Sequence, residues 1–349
     1  FGIHMKKIIA LLALFTFLWS CGSDDTSSEE DTAVDQQTVN ASVSTSNSYL
    51  DSLTHWIFEH PRDTKALNLR AMEYLRKRNI KYALADAQTA LSLDSTDAQY
   101  WDTWAEVNMV FNKTRISRDS WLRCIELDPQ SIDCRLNLAR LFTTVGEYEE
   151  SEQLLKEAIA INPNVEDIYL VQATNLLSLQ QDTTNAIRMA QKAIEINPDF
   201  WEAIDMVAVL YASKKDPLAV SYYQRLIQLD STRADIYYKL GFYHMKKQEW
   251  NEAIEAYLEA TKYNPSDPEP FFSLGYVHMQ LGDYRNAIDY FSKAIGVQEV
   301  NHRAYYGRGY AHQKLGDVTK AEADYRKALE YNPAHKPSAQ ALKDLQSYN

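Results

Sequence analysis

Small and bulky apolar positions recur every 34 residues in the last third of the chain. Glycine or alanine occupies three of the recurring columns, and a large aromatic ring occupies the fourth. Self-similarity at this period predicts that 234–335 consists of three copies of one unit made of two helices. Small residues let the two helix backbones approach closely, and the ring fills the space beside them. The columns are Gly241, Gly275 and Gly309; Ala253, Ala287 and Ala321; Tyr257, Phe291 and Tyr325; and Ala260, Ala294 and Ala328.

The same columns continue upstream in a weaker form. The small position of the first helix is alanine at 71, 105, 139, 173 and 208. Apolar residues at helical spacing in 49–61 and 336–349 predict one capping helix at each end, because a stacked repeat otherwise exposes its apolar face. The predicted copies are 64–97, 98–131, 132–165, 166–200, 201–233, 234–267, 268–301 and 302–335.

The residues that carry the period resemble tetratricopeptide repeats (TPRs). The resemblance rests on the segments LGFYH (240–244), LGYVH (274–278) and RGYAH (308–312), on the alanines above, and on prolines at 265 and 333. It implies an all-α fold, an α-solenoid of about eight helical hairpins in a right-handed superhelix with capping helices. In this family the first helix of each hairpin lies on the concave side.

A second apolar stripe runs along the first helix of each C-terminal copy, rotated by one residue from the stripe that faces the partner helix. An apolar arc this wide exceeds what one neighbouring helix covers. The TPR resemblance implies that this stripe faces the concave groove, so we predict a surface that binds a peptide or a partner protein. The alternative is packing between adjacent first helices, and it is strongest for Tyr238, Phe272 and Tyr306. The predicted surface comprises Tyr238, Phe242, Met245, Phe272, Tyr276, Met279, Tyr306 and Tyr310.

In the middle copies the equivalent stretches are acidic rather than aromatic. TPRs that clamp a C-terminal carboxylate line the groove with Lys, Asn and Arg, so we expect no carboxylate clamp in this protein. An acidic wall would select basic segments of a partner, and a solvated helix face is the alternative. The acidic positions are Asp102, Glu106, Asp133, Asp167, Glu202 and Asp205.

The first 48 residues follow a different pattern. Residues 1–4 precede a Met-Lys-Lys start and are set aside as an artefact, and the apolar run 8–19 is shorter than the roughly 20 residues that span a bilayer. The following Leu-Trp-Ser-Cys resembles the lipobox of bacterial lipoproteins, which implies a signal peptide over 1–20 and a lipid on Cys21; an ordinary secretory signal is the alternative. Residues 21–48 are rich in Ser, Thr, Asp and Glu, which predicts a disordered acidic tether. We therefore expect attachment to the outer membrane, facing the periplasm or the cell surface.

Composition and motifs argue against several classes of function. The formal net charge of −12 disfavours nucleic acid, whose phosphates would be repelled. The sequence has no P-loop, Gly-rich dinucleotide turn, HExxH, GxSxG or CxxC, so we expect neither enzymatic activity nor a cofactor. His244, His278 and His312 are one repeat apart in a packing column, whereas metal ligands must converge on one ion, so we interpret them as structural and expect no metal site.

Cys124 and Cys134 each lie five residues from Pro129, which marks a turn between two predicted helices. In an antiparallel helix pair the two side chains would lie at nearly the same level. This placement predicts a disulfide in an oxidising compartment if the Cβ atoms also align.

Two functions remain. The first is a lipid-anchored scaffold that binds peptide segments or partner proteins of a cell-envelope complex through its concave face. The second is a surface lipoprotein that binds glycans on its aromatic residues during nutrient uptake. The sequence does not decide between a monomer and a homodimer, and it does not identify the partner.

Overall fold

The computed structural model describes residues 49–347, and all regular elements in this range are α-helices, eighteen in number. The predicted signal peptide, Cys21 and the acidic tether lie outside the described residues. The helices are α1 (49–59), α2 (Thr64–Arg76), α3 (Ile80–Leu93), α4 (Ala98–Val110), α5 (Thr114–Leu127), α6 (Ile132–Val145), α7 (Tyr148–Ile161), α8 (Glu166–Gln180), α9 (Thr183–Ile196), α10 (Trp201–Ser213), α11 (Leu218–Leu229), α12 (Ala234–Lys246), α13 (Trp250–Tyr263), α14 (Pro268–Gln280), α15 (Tyr284–Val297), α16 (His302–Lys314), α17 (Val318–Tyr331) and α18 (Lys336–Ser347).

Consecutive helices pack as hairpins, which confirms the predicted all-α stack. Each hairpin turn contains one residue in the left-handed backbone region, which lets the chain reverse within a few residues. Three of these residues are glycines, and the other five carry a side chain, which makes this conformation costly. The left-handed residues are Arg78, Asn112, Gly146, Gln181, Lys215, Gln248, Gly282 and Gly316.

Small residues lie where the two helices of a hairpin touch. Ala71, Ala105 and Ala139 on first helices are completely buried, as are Ala253 and Ala287 on second helices. In the last hairpins the aromatic ring of the second helix lies directly on a glycine of the first, so that a methyl group on Gly241 would lie 2.8 Å from the ring of Tyr257. Only glycine permits this approach of ring to backbone.

The structure separates into two compact units, each with its own buried clusters. In the N-terminal unit, which ends at Asn197, α1 covers the first hairpin with Leu53 and Ile57, which pack against Leu67. In the C-terminal unit, which begins at Pro198, α18 packs Leu345 against Tyr325. Both terminal helices therefore bury an apolar face of the neighbouring repeat, as expected for caps.

Cys124 near the end of α5 and Cys134 in α6 form a disulfide, with Cα atoms 6.2 Å apart. Both side chains are buried, each 1% exposed, and they pack with Leu138 and Trp121 in one apolar cluster. The bridge links two successive hairpins inside the N-terminal unit.

Among residues 49–347, no helix combines the length and the apolar content that crossing a bilayer requires.

Candidate partner-binding surface

Three aromatic side chains lie in register on α12, α14 and α16, and we call Phe242, Tyr276 and Tyr310 the aromatic column. Phe242 is 43% exposed and Tyr276 is 37% exposed, whereas Tyr310 is half-buried. Each follows the buried glycine of its helix by one residue, so its side chain is rotated away from the second helix of its own hairpin. The structure thus places large rings at the surface of three consecutive hairpins.

The neighbouring rings of the predicted surface point into the hairpins instead. Tyr238 packs on Tyr257 with ring centroids 5.6 Å apart, and Tyr306 packs on Tyr325 at 5.8 Å. Phe272 packs in the same way on Phe291, the ring of its own hairpin, at 5.5 Å. Burial raises the pKa of the Tyr238 and Tyr306 hydroxyls, so both stay neutral at physiological pH. All three rings stabilise the hairpins, which is the alternative that the sequence left open for them, and Tyr306 also lines a cavity at the surface.

The sulfur residues of the predicted surface have two different roles. Met245 accepts a hydrogen bond from the buried Tyr257 hydroxyl, with oxygen and sulfur 3.6 Å apart. In the last hairpin Gln313 occupies the equivalent position and accepts from Tyr325 at 2.7 Å. The middle hairpin has Phe291, which has no hydroxyl to satisfy. Met279, which is equivalent to Met245 in that hairpin, therefore accepts no hydrogen bond from the ring.

A cavity of about 280 Å³ adjoins the aromatic column in the C-terminal unit. Met279 and Gln280 of α14 line one side, and Tyr306 and Tyr310 of α16 line the other. The volume is near the lower limit for small-molecule sites and suits one or two side chains of a bound segment. The cavity and the exposed rings together form a surface that could hold an apolar side chain.

Basic residues border the aromatic column. The Lys246 Nζ atom lies 5.0 Å from the ring centroid of Phe242, and the Lys314 Nζ atom lies 5.1 Å from that of Tyr310. Gln280 occupies the equivalent position between them. The two lysines are exposed, so they remain able to bind carboxylates of a partner.

The six acidic positions do not form a uniformly free acidic surface. In the C-terminal unit, Asp205 is buried and paired with Lys239 at 2.7 Å. In the N-terminal unit, Asp167 is paired with Arg140. Pairing removes these two carboxylates from any acidic wall, while Asp133 and Glu202 remain exposed.

Each of the three regularly spaced histidines faces a carboxylate five residues further along the chain. The distances from histidine Nδ1 to the carboxylate oxygen are 2.7 Å for His244 with Glu249, 3.2 Å for His278 with Asp283 and 3.5 Å for His312 with Asp317. Each pair joins the end of a first helix to the start of the second. Sequence reasoning missed these pairs, although an acidic residue at i+5 in all three repeats was a usable signal. Within the described chain, no three His, Cys, Asp or Glu residues cluster in a way that could hold a metal ion.

Comparison with known proteins identifies tetratricopeptide repeats in this chain. Family models described as TPR repeat or tetratricopeptide repeat match residues 244–282, 272–339 and 131–162. Among curated proteins, the human protein O-mannosyl-transferase TMTC3 is 24% identical over 195 residues, which are 51% of this chain and 21% of that protein. The chain thus spans about a fifth of the length of the curated relatives it matches.

Solved structures of helical repeats are also similar. The C-terminal part of a TPR repeat-containing protein from Cytophaga hutchinsonii has a TM-score of 0.61 at 17% identity and covers 70% of this chain and 99% of that one. This likeness supports the fold. YrrB, described as a TPR protein with an unusual peptide-binding site, has a TM-score of 0.45 at 22% identity and covers 54% of this chain and 97% of that one.

Proposed function

We propose that this protein is a TPR scaffold that holds a peptide segment or a partner protein on its aromatic column. The observation that carries the proposal is the exposure of Phe242 and Tyr276, in register on consecutive hairpins and close to a cavity of side-chain size. Large aromatic residues are enriched at the centres of protein interfaces, where they contribute most of the binding energy.

The spacing of the column restricts the shape of the bound segment. Packed helices lie roughly 10 Å apart, so successive rings of the column are separated by a distance of about this size. An extended chain advances about 3.3 Å per residue. An extended partner would therefore present an apolar residue at about every third position. The flanking Lys246 and Lys314 favour acidic residues between those apolar contacts.

The proposal includes attachment to the cell envelope. The lipobox-like residues 18–21 support a lipid anchor at Cys21, and the acidic stretch that follows would serve as the tether. The Cys124–Cys134 bridge supports the same location, because disulfides persist in oxidising compartments outside the cytoplasm. Anchored in this way, the scaffold would hold components of an envelope complex near the membrane.

Pull-down from envelope extract with quantitative mass spectrometry tests the proposal. Phe242→Ala combined with Tyr276→Ala should reduce the recovery of the specific partners at least about tenfold, since each interface aromatic contributes about 2 kcal/mol when it is an anchor. Phe58→Ala is the matched control, because Phe58 is 84% exposed on α1 of the other unit. Only proteins lost in the double variant and retained in the control are counted as partners.

Two other results would contradict the scaffold proposal. If the double variant keeps its protein partners but loses retention on envelope glycans, the aromatic column is a sugar-binding surface, as in the alternative function. If neither protein nor glycan retention changes, the aromatic column does not bind a partner.

A further inference from the structure

The N-terminal unit contains a larger cavity that has no part in the aromatic column. Its volume is about 450 Å³, and its lining comprises Leu69, Met72, Glu73, Leu75 and Arg76 of α2, Tyr49 of α1 and Glu106 of α4. Leu69 and Met72 are 45% and 48% exposed. The cavity therefore has an apolar floor that is open to solvent, and its wall carries Glu106 together with the ion pair of Glu73 and Arg76.

Asp102 and Glu106 lie one turn apart on α4, so that both carboxylates are on the same face of the helix. Asn137 Nδ2 on α6 donates to Asp102 Oδ1 at 3.2 Å and to Glu106 Oε1 at 3.3 Å. Trp121 Nε1 on α5 donates to Asp102 at 2.8 Å. Both donors are neutral, so neither compensates the charge of the carboxylates.

No cation is paired with these two carboxylates in the described part of the chain. Arg140, the positive group whose charge acts on Glu106, is bound to Asp167. Arg76 at the rim of the cavity is bound to Glu73, with nitrogen and oxygen 2.6 Å apart. Burial of a carboxylate without a cationic partner is unfavourable. Among the lining side chains Arg76 is positively charged, and Glu73 already compensates it, so the charge of Glu106 is left without a cationic partner.

We propose that this cavity binds a basic side chain of a partner peptide, with an adjacent apolar side chain seated on Leu69 and Met72. A guanidinium is the best match, because its planar fork presents several donors and can bind both oxygens of the Glu106 carboxylate at once. The proposal goes beyond the aromatic column, since the two surfaces belong to different units and favour partner segments of opposite charge.

Titration of Glu106 makes the proposal testable. Burial, followed by the neighbouring charge of Asp102, raises the pKa of Glu106 to about 7. Asp133 on α6 acts in the same direction, and Arg140 opposes it. Across the cavity, the pKa of Glu73 is lowered by its hydrogen bond to Arg76, so this pair stays ionised between pH 6 and 8.

A cationic peptide should therefore bind more tightly as the pH rises. The ionised fraction of Glu106 increases from about a tenth at pH 6 to about nine tenths at pH 8. If only the ionised form binds, the apparent affinity rises about tenfold over this range. A lysine or arginine keeps its charge throughout, so the change comes from the protein.

Isothermal titration calorimetry of the full chain with a capped hexapeptide of alternating leucine and arginine tests the inference at pH 6 and pH 8. We expect binding whose affinity increases about tenfold between the two values. Glu106→Gln should remove the pH dependence and weaken binding at pH 8 at least about tenfold, to or below the level that the unmodified protein shows at pH 6. Met72→Ala should weaken binding at both pH values, because it removes part of the apolar floor.

Two control variants test whether the peptide binds in this cavity or elsewhere on the protein surface. Glu202→Gln removes an exposed carboxylate from a first helix of the other unit and should leave binding unchanged. Phe242→Ala with Tyr276→Ala should also leave it unchanged, so loss of the aromatic column and loss of this site are distinguishable. Equal weakening by Glu106→Gln and Glu202→Gln, equal affinity for a leucine–glutamine hexapeptide, or no binding of the arginine peptide would each overturn the inference.

Discussion

Glu106 illustrates how surroundings set the charge of a single residue. Glu202 is also a glutamate on a first helix, but it is exposed to solvent. Glu106 is held beside Asp102 and away from most of the solvent, and its carboxylate accepts a hydrogen bond from an amide rather than from a cation. The ionised form of Glu106 is therefore disfavoured in the folded state relative to the unfolded state.

Replacing Glu106 by Gln should stabilise the protein at alkaline pH. The pKa of Glu106 is raised from 4.5 to about 7, so the folded state binds the proton more tightly than the unfolded state. The resulting destabilisation is absent below about pH 4.5, develops between pH 4.5 and 7 and is complete above pH 7. We expect Glu106→Gln to increase the free energy of unfolding by about 3 kcal/mol at pH 8 and to leave it nearly unchanged at pH 4.5.

Urea unfolding at the two pH values measures this difference, with Glu202→Gln as the exposed control. An equal effect of Glu106→Gln at pH 4.5 and pH 8 would show that packing, and not ionisation, distinguishes Glu from Gln at this position.

The hairpin is the element that this chain repeats, and in its last three copies the geometry depends on contact between a ring and a glycine backbone. A methyl group on Gly275 would lie 2.8 Å from the ring of Phe291, and one on Gly307 would lie 2.5 Å from the same ring. Phe291 is therefore enclosed by two first helices, α14 and α16. This arrangement explains why the first-helix glycines recur at the same period as the rings of the second helices, which are Tyr257, Phe291 and Tyr325.

Gly275→Ala should destabilise the C-terminal unit by about 1–3 kcal/mol, because the added methyl group has no space unless the Phe291 ring moves. Gly296→Ala is the matched control on α15, where no atom lies within 4 Å of the added methyl group. There the substitution should be neutral or stabilising by up to about 1 kcal/mol, since alanine is the better helix former. Thermal unfolding of both variants measures the contrast, and equal shifts in melting temperature would contradict the proposed contact.

At the scale of the whole molecule, the two units present different surfaces. The C-terminal unit has exposed rings bordered by lysines, and the N-terminal unit has an apolar cavity beside two carboxylates without a cationic partner. A scaffold with two such surfaces would discriminate between partner segments by the charge that accompanies their apolar residues.

The disulfide relates the whole molecule to its compartment. We expect Cys124 and Cys134 to be bridged in protein isolated from its native compartment, which the cell-envelope proposal requires to be oxidising. Trypsin leaves both cysteines in one peptide, residues 124–135, because no Lys or Arg separates them. Mass spectrometry without reduction should find this peptide lighter by two hydrogen atoms and unmodified by iodoacetamide. A doubly alkylated peptide would show free thiols and would count against an oxidising location.

The amino-acid sequence alone was sufficient for the repeat and the all-helical stack. Contacts between the two helices of a hairpin depend on residues close in the chain, so the columns at 34-residue spacing record them directly. The hairpin turns were harder to predict from the sequence, because five of the eight residues in the left-handed conformation are not glycine. Asparagine at 112 is a residue type that favours this conformation, but Arg78, Gln181, Lys215 and Gln248 are not, so residue preference does not indicate those four turns.

The candidate sites required the three-dimensional structure. Phe242 and Tyr238 are both aromatic residues on the same helix, and only the packed neighbours show that the first is exposed and the second lies against Tyr257. Asp167 and Glu106 are both acidic residues on first helices, yet one is paired with arginine and the other is not. Charge compensation depends on side chains from other repeats, about 30 residues away in the sequence, and the exposure of a ring depends on the helix packed against it. A pattern read along one helix therefore carries no record of them.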